Sequence, residues 1–236
     1  MVSLLNSYSK KYDSNQYGKS DYWEDRYQRD PDVFDWYIRF ASASRSEGVF
    51  NSAQFLRDTI AQYVEPTCSI LNVGAGNSRM SEEMLEEGYT NITSIDISFS
   101  CVKNMTERYK EQHPQFNTLV YKQMDVRNLQ FANGSFEAVI DKGTFDCIRC
   151  GDGADPNAEQ MLLEIERVLA PNGVYICISY GNPPSRMPMF SDARYGWTVS
   201  FEKMLKPNLA QTDAEIRRDT NQAIDTNFYY IYIMRK

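Results

Sequence analysis

The stretch Ile70-Leu71-Asn72-Val73-Gly74-Ala75-Gly76-Asn77-Ser78, followed by Thr93-Ser94-Ile95-Asp96, constrains the fold of this chain more than any other. An apolar run leads into two closely spaced glycines, and a second apolar run ends in an acid 22 positions after Gly74. Strand, glycine turn, helix, strand and terminal acid make up a nucleotide-binding βαβ unit. Glycine lacks a Cβ, so backbone at Gly74 and Gly76 can pass close to a ligand. A carboxylate at the end of the second strand can accept hydrogen bonds from two ribose hydroxyls.

The same alternation continues downstream. Apolar periodicity predicts strands at 69–73, 92–96, 118–123, 136–141 and 173–180, and helices at 78–87, 98–111 and 157–169. Strands alternating with helices imply a parallel sheet covered on both faces. Ala170-Pro171-Asn172-Gly173 reads as a turn into the fifth strand, and Gly151 to Pro156 as a loop before the preceding helix. Trp197 to Lys203 and Asn227 to Met234 read as two late strands that can pair antiparallel. The expected fold class is therefore α/β, a Rossmann-like, mostly parallel seven-stranded sheet with an antiparallel last strand and an aromatic N-terminal extension. That is the class I methyltransferase architecture rather than the six-stranded NAD-binding one.

Upstream of the sheet, residues 1–20 read as a flexible tail and 21–236 as one domain. Within it, 21–66 form an N-terminal extension or lid, 67–180 the core, and 181–236 a C-terminal insertion and hairpin. Asp21 to Gln28 suggests a short helix with an aromatic face, and Val49 to Val64 a longer one with Phe50, Phe55, Leu56, Ile60 and Tyr63 at helical spacing.

Bulk properties exclude several classes. A net charge of −7 disfavours a duplex DNA binder, whose affinity comes largely from cations on phosphates, and suits a small substrate or a basic protein. The N-terminus lacks the apolar core of a signal peptide, and no window approaches the roughly 20 apolar residues of a membrane span. Five cysteines in no framework spacing fit reduced thiols and a cytoplasmic protein, expected to be a monomer. Cys147-x-x-Cys150 lacks a second ligand pair, so no metal is expected. A single histidine, His113, argues against Ser-His-Asp or Cys-His catalysis.

Ligands of parallel sheets sit at the carboxyl ends of the strands. Asp125 and Val126 follow the third strand and fall near an adenine, which needs an acceptor for its amine and a donor for its ring; Asp125 could equally cap a turn. Asp141 to Asp146 closes the fourth strand, with Asp141, Lys142 and Phe145 the acceptor-site candidates and a salt-bridged rim of Asp141, Lys142 and Asp146 the alternative. Asn182-Pro183-Pro184-Ser185 follows the fifth strand and reads as an ordinary proline turn. Trp23, Tyr27 and Trp36 either pack a core or form a lid over a cationic ligand, since aromatic faces attract cations.

Together, Tyr22-Trp23-Glu24-Asp25-Arg26-Tyr27, Phe34-Asp35-Trp36-Tyr37, Gly74-Ala75-Gly76-Asn77-Ser78, Asn91 to Ser98, Met124-Asp125-Val126-Arg127, Asp141-Lys142-Gly143-Thr144-Phe145-Asp146 and Tyr195-Gly196-Trp197 resemble one family. It is the seven-β-strand methyltransferases that include the elongation factor 1-alpha lysine methyltransferases, and the resemblance covers about 21–203. It implies S-adenosylmethionine bound by Trp23, Tyr27, Trp36, Gly74, Gly76, Asn77, Asp96, Ile97, Asp125, Val126 and Lys142. It also implies methylation of a protein lysine, elongation factor 1-alpha first among candidates. A small-molecule methyltransferase, or a non-catalytic cofactor-binding module, would use the same core.

Overall fold

The computed structural model describes residues 14–40, 52–114, 118–206 and 228–236. Two helices precede the sheet, α1 (Ser20–Arg29) and α2 (Ser52–Ala61). The alternating core then runs β1 (Ile70–Val73), α3 (Met80–Glu86), β2 (Ile92–Asp96), α4 (Phe99–Gln112), β3 (Leu119–Gln123), β4 (Phe136–Lys142), α5 (Thr144–Ile148), α6 (Ala154–Val168) and β5 (Leu169–Ser179). It closes with α7 (Pro183–Phe190), β6 (Thr198–Leu205) and β7 (Phe228–Arg235).

The seven strands form one sheet in the order β3-β2-β1-β4-β5-β7-β6. The first five are parallel, and β7 runs antiparallel to both β5 and β6. This is the expected architecture, with the reversed strand inserted between β5 and β6.

Strand periodicity divides the core into two layers. Leu71, Val73, Val139, Tyr175, Cys177 and Tyr232 face α6 and α7, where Met161, Leu162, Ile165 and Phe190 meet them. Ile70, Ala138, Ile140, Ile176, Ile178, Ile231 and Ile233 face the opposite side, against Leu56 and Ile60 of α2 and Met80 and Met84 of α3. Both layers are buried, so the central strands are apolar on both faces, continuously so over Val174 to Ile178 of β5.

Several local expectations change. Ala170 to Gly173 lie inside β5, where the register against β4 shifts between Phe136 and Ala138 and Asn172 has φ 65°. The turn chemistry is thus spent on an irregularity within the strand. The proline turn is a helix start: Asn182 caps α7 by accepting from the Ser185 amide at 3.3 Å, and the prolines occupy the first positions, where no N–H is needed. Of the expected tail, residues 1–13 lie outside the described residues, while 14–20 are built into the body. Ser14–Gln16 form one 3-10 turn, and the Gly18 and Gly151 backbones approach Cys150 O and Asn15 O so closely that a Cβ at either would overlap its neighbour. Phe50 and the side chain of Phe55 also lie outside the described residues; Leu56 and Ile60 are buried as their spacing predicts.

Candidate active site

β1 and β4 lie side by side but their connections leave in opposite directions, so a crevice opens at the carboxyl ends of the strands. A cavity of about 680 Å³, open mouth included, occupies it. Its floor is Gly74 after β1, Asp96 and Ile97 at the end of β2, Met124 to Arg127 after β3, and Lys142, Gly143 and Thr144 at the end of β4. Its roof is the N-terminal segment, through Tyr17, Lys19, Trp23 and Trp36.

Two clasps hold that roof down. In the first, Glu24 of α1 reaches the N-terminus of α4, accepting from the Ser98 hydroxyl at 2.7 Å, the Ser100 hydroxyl at 2.5 Å and the Ser100 amide at 3.2 Å. The free amides at a helix start favour a carboxylate there. The Ser100 and Ser98 hydroxyls pull the Glu24 carboxyl down to about 2. In the second, Asp35 accepts from the Lys142 ammonium at 2.9 Å and from the Ser78 hydroxyl. Lys142 also donates to Trp36 O at 3.0 Å, and the Asn77 amide to Asp32 O. The loop 32–37 is therefore tied at once to the glycine turn and to the end of β4. Burial pulls the Lys142 ammonium below its usual value, and Asp35 opposes that pull.

The roof is aromatic on its inner side. The Trp23 indole N–H donates to Tyr17 O at 2.7 Å, the Trp23 ring stacks on Tyr27 at 5.8 Å, and Trp36 lies edge-on to Trp23 at 6.2 Å and to Tyr17 at 5.9 Å. On the floor, Asp96 accepts from the Gly76 and Ser98 amides, each at 2.9 Å. Burial raises its carboxyl to about 6 against the pull of those amides. Burial would also raise Asp125, but the Arg127 guanidinium and backbone amide overcome it and hold the carboxyl below its usual value. Arg127 is steered in turn by Asn157 of α6 at 2.9 Å.

Of the residues expected at the cofactor, Trp23, Trp36, Gly74, Asp96, Ile97, Asp125, Val126 and Lys142 line this one cavity. Tyr27, Gly76 and Asn77 do not. Tyr27 supports Trp23 from below and fills the space a Gly76 Cβ would need. Gly76 and Asn77 line a smaller adjoining hollow that shares Trp36, Gly74 and Lys142 with the main cavity. The open side of Gly74 is filled by Thr144 rather than left to a ligand. Its φ of 59° explains the glycine independently, because a side chain is strained there.

Among the acceptor-site candidates, Lys142 lines the cavity and Asp141 and Phe145 do not. Asp141 is fully buried and accepts from the Thr144 amide at 2.7 Å, the Phe145 amide at 2.9 Å and the Tyr175 hydroxyl at 3.0 Å. It caps α5 from beneath, and burial beside Asp146 raises its carboxyl to about 7. Phe145 packs in the core against Phe190 at 4.7 Å. Tyr17, Lys19, Met124, Arg127, Thr144, Cys147 and Ile148 also line the cavity and were not expected there. Met124 and Arg127 flank the expected pair, so strand-end position alone could have flagged them.

With this geometry in view, known proteins decide the family. A model of the methyltransferase domain matches residues 71–177. EEF1A lysine methyltransferase 4 of Bos taurus is 32% identical over 194 residues, covering 78% of this chain and 69% of that protein. The chain belongs to the eEF1A lysine methyltransferase family. The eEF1A lysine and N-terminal methyltransferase of Mus musculus is 30% identical over 208 residues, covering 86% of this chain, which spans 28% of that larger relative. Solved structures agree on the fold. The [4+2]-cyclase SpnF superposes with a TM-score of 0.61 at 15% identity, covering 94% of this chain and 96% of its own. An S-adenosylmethionine dependent methyltransferase from Mesorhizobium loti gives 0.52 at 15% identity, covering 77% and 97%. That one of these folds is described as a cyclase shows why the chemistry must be argued from the site.

The cavity residues of this family member fit S-adenosylmethionine. A buried carboxylate suits a ribose, the apolar side chains of Ile97, Met124 and Val126 suit an adenine, and an aromatic roof suits a sulfonium. Among the described residues no cluster of three or more His, Cys, Asp or Glu is placed to hold a metal ion, and no helix is long and apolar enough to cross a membrane.

Proposed function

We propose that this chain transfers methyl groups from S-adenosylmethionine to a lysine side chain of a protein, with elongation factor 1-alpha the first candidate. The observation that carries this reading is the single cavity uniting Asp96, Asp125, Val126 and Lys142 under Trp23 and Trp36, in a chain whose relatives are named for that substrate. When bound, the cofactor supplies a methyl whose bond to sulfur breaks as a bond to the neutral amine nitrogen forms; the sulfur keeps the electron pair, and the product is a methylated ammonium, one proton having left the lysine for water beforehand.

The residues divide that work. Asp96 accepts from the ribose hydroxyls and Ile97, Met124 and Val126 enclose the base, while Asp125 and the Val126 amide address its edge. Lys142 fixes the loop that carries Trp36, and the two tryptophans face the sulfonium and keep water out. The protein thus contributes orientation and a dry site. The carboxylates lining the cavity, Asp96 and Asp125, are both engaged by this chain's own donors. The acceptor amine, with an ordinary pKa of about 10.4, is therefore deprotonated by water, and apolar walls favour its neutral form. Five free cysteines support a reducing, cytoplasmic setting.

Because Asp96 must be ionised to accept from two hydroxyls, its elevated value has a pH consequence. Below about pH 6 the free carboxyl is protonated and binding must expel that proton. Cofactor affinity should be flat above pH 7 and fall as pH drops through 6, approaching tenfold per unit. Calorimetry at pH 6 in buffers of different ionisation enthalpy should show net proton release. Affinity unchanged from pH 7.5 to 5 would remove Asp96 from that role.

The acceptor class is tested by incubating the protein with tritiated cofactor and a cell lysate. Labelling of a protein band, with methyl-lysine in its hydrolysate, is the expected result. Acid-soluble label alone would support a small-molecule methyltransferase and reject the protein substrate.

A further inference from the structure

We propose that Tyr37, Tyr180 and Tyr229 form the entrance for the acceptor lysine, at the Gly143 edge of the cavity. This rests on the methyl-transfer reading and names the acceptor side of the same site.

Trp36 and Gly143 line the cavity, and Tyr37, next in sequence to Trp36, sets its half-buried ring against Gly143 at that edge. It does so at φ 67°, a left-handed conformation that a bulky side chain rarely adopts and that persists only where surroundings impose it. The imposed result is a ring lying over Gly143, where a Cβ would come within 3.2 Å of it. The Tyr37 hydroxyl donates to Asp146 at 2.7 Å. Asp146 is itself immobilised by the Ser179 hydroxyl at 2.5 Å, the Arg186 guanidinium at 2.8 Å and the Tyr180 amide at 2.9 Å. A buried ion pair and a strained backbone thus fix one tyrosine ring at the edge of the cavity.

Two further rings adjoin it, Tyr229 half-buried and Tyr180 exposed. Tyr229 lies 4.8 Å from Tyr37, and Tyr180 lies 6.4 Å from it. Tyr180 is 53% exposed, so its ring is open to an incoming side chain. Both outer rings already carry cations of this chain: Arg186 sits 5.6 Å over Tyr180 and the Lys206 ammonium 5.1 Å over Tyr229. The Lys206 contact shows that a lysine ammonium can sit on this wall, as ring quadrupoles attract cations. An incoming lysine would meet the rings as an ammonium, lay its four-carbon stem along them, and lose water progressively toward Gly143. That loss of solvent favours the neutral amine the reaction needs.

The test uses the full chain, tritiated cofactor and purified elongation factor 1-alpha, with Tyr180→Ala, Tyr229→Ala and Tyr180→Phe. Both alanine variants should raise KM for the protein substrate at least tenfold and leave cofactor Kd within twofold. Tyr180→Phe keeps the ring and should retain a KM near wild type. Alanine variants with unchanged KM, while the wild type labels lysine, would overturn the entrance and leave the methyl-transfer reading standing. So would variants that lose cofactor affinity and thermal stability together, since that marks packing. A wild type that binds cofactor but labels no protein lysine would overturn both.

Discussion

Asp96→Ala is expected to weaken S-adenosylmethionine binding by at least about 100-fold. A hydrogen bond to a charged group contributes about 1.5–3 kcal/mol, so losing two from the ribose costs about 3 kcal/mol or more, and each 1.4 kcal/mol is tenfold in affinity. The fold should survive. Asp96 itself lines the cavity, so water can replace its carboxylate on the Gly76 and Ser98 amides. Equilibrium dialysis with labelled cofactor measures the affinity, and the thermal unfolding midpoint checks the fold. A folded Asp96→Ala protein with wild-type affinity would mean that the ribose binds elsewhere.

Asp35→Ala should be the most damaging change in the roof. Its carboxylate and the Lys142 ammonium form a buried pair at 2.9 Å, with side-chain exposures of 8% and 5%. Removing one partner of such a pair leaves an uncompensated charge and costs about 3–5 kcal/mol. The Ser78 hydroxyl loses its acceptor as well, so the loop bearing Trp36 loses one tie to the glycine turn and one to the end of β4. Chemical denaturation should show the loss, and cofactor affinity should fall with it. Adding Lys142→Met removes the stranded charge, and the double variant should recover much of the stability but little of the affinity. A loss below about 1 kcal/mol in Asp35→Ala would show that this clasp does not hold the roof.

What could be read in advance follows the reach of the signals. The strand, glycine turn and terminal acid lie within 27 consecutive residues, 70–96, and each has its own local cause, so β1, β2 and Asp96 were legible. The late strands were legible from their composition. Residues 14–19 were not, because Tyr17 and Gly18 carry no periodic pattern and are ordered by the distant Cys150 and Gly151 backbone. Asp141 and Asp146 illustrate the same limit. Asp141 lies near the end of β4, where alternation along the strand turns it inward, whereas Asp146 lies in α5 and acquires its partners only when Tyr37, Ser179 and Arg186 converge from three other segments. Tyr27 and Trp23 sit four apart on one helix face, yet Trp23 alone reaches the cavity, since Tyr27 lies one turn further along, against Gly76. For α7, Asn182 followed by two prolines was a readable helix start, and the expectation of a plain turn underused it.

The central claim is that the cavity between the strand ends and the aromatic roof is a site for S-adenosylmethionine rather than for a dinucleotide. Calorimetric titration of both compounds into the wild-type protein tests it most directly. Saturable binding of S-adenosylmethionine near one equivalent, with no heat from NAD, is the predicted result. NAD binding in preference, or no binding of S-adenosylmethionine to folded protein, would contradict it.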